Sequence, residues 1–440
     1  MATAITAAWG RFIELRVDMA VGVWAGHGIT AGHWQPDHTK SEWTPATHDQ
    51  DAGHWGSSAS SGDPADVVWQ DITCDLLSVA TKRGKDRWQT KDYPPGRLTL
   101  KLRDEHGAYT NLLPHDLQTS PIRLGNRVRM QARAVGDTIW QPVFYGYITD
   151  TPETGKADGT NTVDVTVMDH MAAFARTAVI THKGHDTVTE RLNHLLDADE
   201  WPALLRDIDL DTIDLIAGDD AGKLSDELKL TARSGAGSLF MAKDGKVTYR
   251  LATWFDTGTR TTTPQGFVNA ASDDPTAQIV PVVCAGGSVT FDKSDGRVIT
   301  RVSVGQRGLD SAAAYRAESS SAISRFGFID YQDFAMLTHH HTDLKTIGDR
   351  ILAQNKDSRP RVQSVSVPIT DTDTARWAID TMIGDMITVR YVASEGWEAA
   401  LQVHIFGISW AFSPTGATIK FTTEDQSYPS HTCTSLRDST

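Results

Sequence analysis

Residues 97–103 read Arg97-Leu98-Thr99-Leu100-Lys101-Leu102-Arg103, an unbroken alternation of leucine with polar side chains. A strand sends successive side chains to opposite faces, so this order puts the leucines on one face and the polar residues on the other; a helix would scatter both. Turn chemistry brackets the run, with Pro94-Pro95-Gly96 before it and Asp104-Glu105-His106-Gly107 after it. Similar segments recur at Phe12–Met19, which is mostly alternating and runs on to Trp24, and at Asp71–Val79, Asn126–Ala132, Val143–Ile148 and Thr162–Met168. Short strands at regular spacing separated by turn residues predict an antiparallel barrel or sandwich.

The period changes in the middle of the chain. Thr187 can cap a helix in which Val188, Leu192, Leu195 and Leu196 share one face, with Glu190 placed to complete a capping box. Pro202 starts or interrupts the next turn, Asp207–Asp211 alternates again as a strand with Ile208 and Leu210 inward, and Ser225–Ala236 suits a second helix. Asp244-Gly245 between Ser238–Met241 and Lys246–Arg250 is a strong hairpin signal. Residues 256–280 read as a loop. Beyond them come Ser288–Phe291 and Arg297–Val304 around a Ser294-Asp295-Gly296 turn, a helix at Thr342–Asn355, and strands at Val362–Ile369, Met386–Val392, Gln402–Trp410 and Thr418–Phe421.

The expected fold class is therefore mainly β with a small α/β module. At roughly 150 residues per domain, a chain of 440 holds about three. The expected division is an N-terminal barrel-like domain at 1–175, an α/β module at 176–285, a C-terminal barrel-like domain at 286–425 and a polar tail at 426–440. Residues 26–65 interrupt the first domain with Gly, His, Ser, Trp and Asp and no periodicity; insertions of this length are usually functional or disordered. Ala31-Gly32-His33-Trp34 recurs there as Ala52-Gly53-His54-Trp55, with Trp43 between. Trp34, Trp43 and Trp55 are the candidate partner-contact residues, because indoles on a polar loop can stack on sugars or anchor a protein. Packing of the loop against its own barrel is the plainer alternative.

A formal net charge of −14 argues against duplex DNA or an anionic membrane as the main partner, since both call for clustered Lys and Arg. No run of about 18 apolar residues predicts a membrane span, and Met1–Gly10 lacks the pattern of a secretory signal. Cys74, Cys284 and Cys433 have no metal or disulfide spacing; two buried thiols and one near a frayed C-terminus are expected.

Enzyme motifs are missing: no GxSxG, HExxH, Walker A loop or GxGxxG occurs. Ser234-Gly235-Ala236-Gly237-Ser238 imitates a nucleophile elbow but carries Ala236 where the nucleophile belongs, so it reads as a turn entering a hairpin. Asp207, Asp209, Asp211 and Asp214 invite calcium, yet Thr212 and Gly218 occupy the positions where an EF-type loop needs glycine and a carboxylate. His339-His340-His341 cannot all face one ion from a regular element, and a helix cap at Thr342 or Asp343 explains the local polarity better. No catalytic residue, metal ligand or cofactor site is assigned.

A series of segments, in order, resembles the minor tail proteins of long-tailed bacteriophages of actinobacteria. They are Tyr93–Asp104 with its glycine-led strand; Leu124-Gly125-Asn126-Arg127-Val128-Arg129 and Val143–Ile148; Glu190–Asp197 with Trp201-Pro202 and Arg206–Asp209; Ser238-Leu239-Phe240 with Asp244–Val247; and Ile383–Val389 with Val403–Trp410. The resemblance spans about residues 66–425, and it lies in the order of the segments more than in any one of them; 26–65 and 305–340 have no counterpart. It implies a tail-tip hub similar to those of contractile baseplates, with two tube-like antiparallel β-barrel domains per chain and a homotrimer forming a ring of six barrels. It further implies a distal tail protein or tail tube above, other minor tail proteins or fibres below, tape-measure protein in the lumen, and residence at the virion tail tip after synthesis in the bacterial host cytoplasm. Such a hub is structural, not an enzyme, and binds no specific nucleic-acid sequence. The alternatives are a receptor- or glycan-binding tip protein that uses the Trp/His insertion, or a cell-wall hydrolase of the tip.

Overall fold

A computed structural model of the chain describes residues 12–21, 68–85, 92–104, 109, 122, 124–154, 161–251, 253–269, 283–285, 288–292, 298–309, 314–338, 340–357, 361–392 and 398–424. The fold is mainly antiparallel β, as the alternation implies. The first strands are β1 (Ile13–Val21), β2 (Val68–Asp71), β3 (Leu76–Gly84), β4 (Arg97–Asp104), β5 (Arg127–Ala134), β6 (Gln141–Asp150), β7 (Glu153–Thr154) and β8 (Asn161–Met168). Their pairing runs β2-β1-β5-β6-β8-β4-β3, antiparallel throughout. The two ends of that series, β2 and β3, follow one another in the chain across a single 3-10 turn at Thr73–Asp75. The sheet thus curls back on itself, and one bent segment supplies both its first and last member. Val17 holds the corner: its N–H donates to Thr73 Oγ1 (2.9 Å) and its carbonyl accepts from Ile72 N–H (3.0 Å).

The inward face is the apolar half of each alternation. Ile13, Leu15, Val17 and Met19 meet Leu98, Leu100 and Leu102, Val128 and Met130, and Val163, Val165 and Val167 in one cluster, each essentially inaccessible to water. Each such side chain contributes about 1.5–3 kcal/mol on burial, which is what closes the ring.

An α/β unit follows: α1 (His170–Phe174), β9 (Ala178–Lys183), α2 (Val188–Ala198), β10 (Arg206–Ile208), β11 (Gly218–Lys223), α3 (Leu224–Ser234), β12 (Ser238–Met241) and β13 (Val247–Arg250). Thr187 caps α2 in the capping box that the sequence indicates, with Glu190 answering from the first turn. Gly245, at φ +87°, turns the β12–β13 hairpin. The unit has its own core, with Leu192, Leu195 and Leu196 of α2 against Leu224 and Leu228 of α3.

Where the sequence suggests a loop at 256–280, the chain forms two single-turn helices, α4 (Trp254–Thr257) and α5 (Thr259–Thr262), and a strand, β14 (Gly266–Asn269). Elements this short carry no readable period. Then come β15 (Val283–Ala285) and β16 (Ser288–Asp292), and a second α/β unit of β17 (Arg301–Gln306), β18 (Tyr315–Glu318), α6 (Ser320–Phe326), β19 (Asp330–Met336) and α7 (His341–Asn355). The second unit packs Val302, Val304 and Met336 against Leu344, Ile347 and Leu352. Helix α7 begins one residue before the expected Thr342, after His340; Asp343 instead accepts from Thr338 Oγ1 (3.1 Å).

The chain ends through β20 (Arg361–Pro368), α8 (Thr372–Asp380), β21 (Met386–Val392), β22 (Glu398–Ser413) and β23 (Gly416–Glu424). These strands complete a second ring in the order β15-β14-β21-β22-β23-β20-β16. Its ends, β15 and β16, are again chain neighbours, separated by residues 286–287. The second barrel thus begins upstream of residue 286, and the second α/β unit sits inside its sequence between β16 and β20.

Candidate functional site

The most heavily constructed region among the described residues is the junction between the two barrels. Strand β22 is 16 residues long, and its first part pairs with β21. Its second part outruns β21 and pairs with β3 of the first barrel, from Gly407 opposite Gly84 to Phe412 opposite Val79. Lys85 N–H extends the contact to the Phe406 carbonyl (2.8 Å). The backbones approach so closely that both positions must be glycine. A Cβ at 84 would lie 2.3 Å from the Phe406 oxygen and one at 407 would lie 2.2 Å from the Lys85 oxygen, and Gly84 also sits at φ +81°.

Buried polar groups line this junction and tie in the first α/β unit. Lys243, in the β12–β13 turn, donates to the carbonyl oxygens of Ile379 (2.8 Å) and Asp380 (3.2 Å) at the end of α8. Those carbonyls are the unpaired, partly negative end of a helix, where a cation is favoured. Burial lowers the Lys243 ammonium to about 8 and the Arg83 guanidinium, on β3, to about 10. Asp169 caps α1 by accepting from Met171 N–H (3.1 Å) and reaches back to Gly96 N–H (2.5 Å); burial raises its carboxyl to about 7 against the pull of those bonds. Arg260 of α5 clamps Asp385 (2.7 and 2.6 Å) and Asp380 (2.9 Å), and His404 Nε2 meets the Thr261 oxygen (2.7 Å). Outside, α8 leans on the first barrel through Arg376 and Asp137 (2.7–3.1 Å). A cleft of about 440 Å³ lies beside that pair, lined by Arg133, Asp137, Arg376 and Asp380. Each of these charges is ion-paired, Arg133 with Glu14 and Asp380 with Arg260 included, so none is left to act as a free acid or base.

The two barrels repeat one another at this level of detail. Gly125 (φ +88°) and Gly384 (φ +96°) open β5 and β21. Gly125 N–H donates to the Ile148 oxygen (2.8 Å) and Ile148 N–H to the Asn126 oxygen (2.9 Å). Gly384 N–H donates to the Ile405 oxygen (2.6 Å) and Ile405 N–H to the Asp385 oxygen (2.9 Å). A bulge follows in both, between Ile148 and Asp150 and between Ile405 and Gly407. The apolar-Gly-Asx signature Leu124-Gly125-Asn126 and Ile383-Gly384-Asp385 is visible in the sequence, but only the pairing shows that both segments do the same job.

The residues singled out from sequence are dispersed. Trp34, Trp43 and Trp55 lie outside the described residues, as do His339 and the 294–296 turn. The acidic run is committed elsewhere: Arg250 bridges Asp207 and Asp209, and Tyr249 Oη donates to Asp211 (2.5 Å). Leu210 is 75% exposed and Asp211 buried, the reverse of the expected alternation, because strand β10 ends at Ile208. His340 faces Asp214 (3.5 Å) while the His341 ring packs edge-on to Tyr315. Ser234 is a link in the fold, its hydroxyl donating to the Leu230 oxygen and accepting from Leu337 N–H. The pseudo-elbow leads from helix α3 into β12, with Ala236 at φ +54°. Cys74 is exposed, contrary to expectation, because it lies on the 3-10 corner.

No family model and no curated protein matches the chain. Among solved structures, it is similar to a tail protein from Neisseria meningitidis MC58, at 11% identity and a TM-score of 0.54 over 81% of this chain and 94% of that one. It is also similar to the 43 kDa tail protein of prophage MuSo2 from Shewanella oneidensis, at 10% identity and a TM-score of 0.51 over 81% of this chain and 95% of that one. The chain shares its fold with these tail proteins. At such identity the likeness lies in the architecture, over nearly the full length of each relative.

Proposed function

We propose that the chain is a structural component of a bacteriophage tail tip: a hub, with no chemical step of its own, that links the tail tube to distal tip proteins or fibres. One observation carries this reading: two barrels of the same strand order, turn and bulge are fused edge to edge in a chain that shares its fold with two tail proteins, one of them from a prophage. A duplicated barrel is what a three-copy ring needs to continue a six-fold tube, with a distal tail protein above, other minor tail proteins or fibres below and tape-measure protein, then DNA, in the lumen. The net charge of −14 suits a passage that phosphates must cross without adhering. Cryo-electron microscopy of intact virions, with symmetry tested at the tail tip, decides the matter. Three copies forming a ring of six barrels below the tube are expected, whereas density found only on peripheral fibres would overturn the hub assignment and bring forward a receptor role for residues 26–65.

A further inference from the structure

Tyr147 and His404 set the two barrels in a common register. Tyr147 is flanked by Arg127 of β5 and Met168 of β8, and His404 by Met386 of β21 and Glu424 of β23. From there the pairing agrees residue by residue: Asp150 opposite Thr166, Glu153 opposite Val163 and Thr154 opposite Thr162 match Gly407 opposite Thr422, Trp410 opposite Ile419 and Ala411 opposite Thr418. Asp150–Thr154 of the first barrel is therefore the counterpart of Gly407–Ala411 of the second. Likewise β16 is the counterpart of β3, since Val289 and Thr290 face Val365 and Ser364 of β20 as Val79 and Ala80 face Leu100 and Thr99 of β4.

Within one chain the β22–β3 contact is made once. Its two counterparts are left over: among the described residues, no strand pairs with the second edge of Asp150–Thr154 or with the second edge of β16. Pro152 does not block the first of these edges. Its carbonyl faces β8, accepting from Asp164 N–H (3.0 Å), so the donor it lacks is missing on the paired side.

We propose that a second copy of this chain makes the missing contact: Thr290–Asp292 of one copy adds antiparallel to Pro152–Thr154 of the next, with Thr290 opposite Thr154 as Ala80 is opposite Ala411. This rests on the tail reading above and names the surface through which its copies join. The two surfaces differ, so the contact is head to tail, and each copy presents one of each; repeated rotation then closes a ring or runs on as a filament. Open strand edges are the template such a pairing needs. Asp150 stands where Gly407 stands in the other barrel, so the closest backbone approach is not repeated and the contact between copies is the looser of the two.

Paired cysteines in the full-length chain, with the three native cysteines replaced, test this. Ala80→Cys with Ala411→Cys is the control and must close a disulfide within one chain. Thr154→Cys with Thr290→Cys, oxidised with diamide at the highest soluble concentration, should give a ladder of linked chains that stops at a closed ring, while the two single variants mixed should give dimers only. A closed control with an unlinked 154/290 pair, or with linkage only between like positions, overturns the inference. Labelled chain found on phage tails with that pair unreacted sinks this contact alone; chain absent from the particles sinks the tail reading and leaves the cross-linking result to be judged by itself.

Discussion

The two barrels share ring order, opening turn and bulge, yet they close differently. In the first, β1 runs antiparallel to both neighbours; in the second, β14 runs parallel to both β15 and β21. Parallel neighbours need a crossover connection, which a two-residue hairpin turn cannot supply. The barrels also differ in what they carry: residues 22–67 interrupt the first between β1 and β2, whereas a folded α/β unit interrupts the second between β16 and β20. What persists is strand order, opening turn and bulge. Connections outside the core vary freely, because loop length costs little.

Substitutions at equivalent positions put this comparison under strain. The largest effect is expected at the weld. Gly84→Ala adds a Cβ beside the Phe406 oxygen at a positive φ, and should cost about 3 kcal/mol in urea unfolding. Asp150→Gly, at the counterpart of Gly407, should change stability by less than about 1 kcal/mol; equal effects would mean that the two edges are not distinguished by packing. Next come the cores: Leu100→Ala should cost about 3 kcal/mol and its counterpart Val365→Ala about 2 kcal/mol. Both should shift a single transition, since one continuous cluster spans the barrels. Two separate transitions would break the picture of a shared sheet.

A smaller effect depends on pH. Asp169 titrates at about 7 in the folded chain against about 4 when unfolded, so the folded state holds its proton more firmly. The resulting stabilisation is fully present below pH 4 and is lost as pH rises towards 7. Asp169→Asn should flatten that slope in denaturation midpoints measured across the window; an unchanged slope would place the charge in water. The smallest effect belongs to Arg376→Ala. Its ion pair with Asp137 crosses between the barrels but is half exposed, and solvent screens such pairs. A change in midpoint near experimental error, vanishing with added salt, is expected; a loss rivalling Gly84→Ala would make charge, not strand pairing, the bond between barrels.

Much of the β framework was legible because a period of two is local: Arg97–Arg103 states its own pleat, and Thr187 with Glu190 states its own helix start. Legibility failed where order comes from elsewhere. Alternation places Leu210 inward, but Asp211 takes the interior because Tyr249 offers it a hydroxyl. Nothing in the composition marks Lys243 as buried, since the carbonyls that hold it belong to a helix more than 130 residues away. The junction was not foreseen, although both of its glycines stand in plain view, because a glycine announces permission for close approach without naming what approaches.

The sequence by itself determined most of the longer strands, their faces and the turns between them, since these follow from side-chain alternation and backbone preference over a few residues. Only the tertiary structure decided that the strands form two like-ordered barrels, that β22 reaches past its own barrel to β3, and that, among the described residues, the counterparts of that contact at Asp150–Thr154 and β16 are left unpaired. Register and closure depend on which distant strand satisfies which backbone groups, and no local pattern encodes that choice.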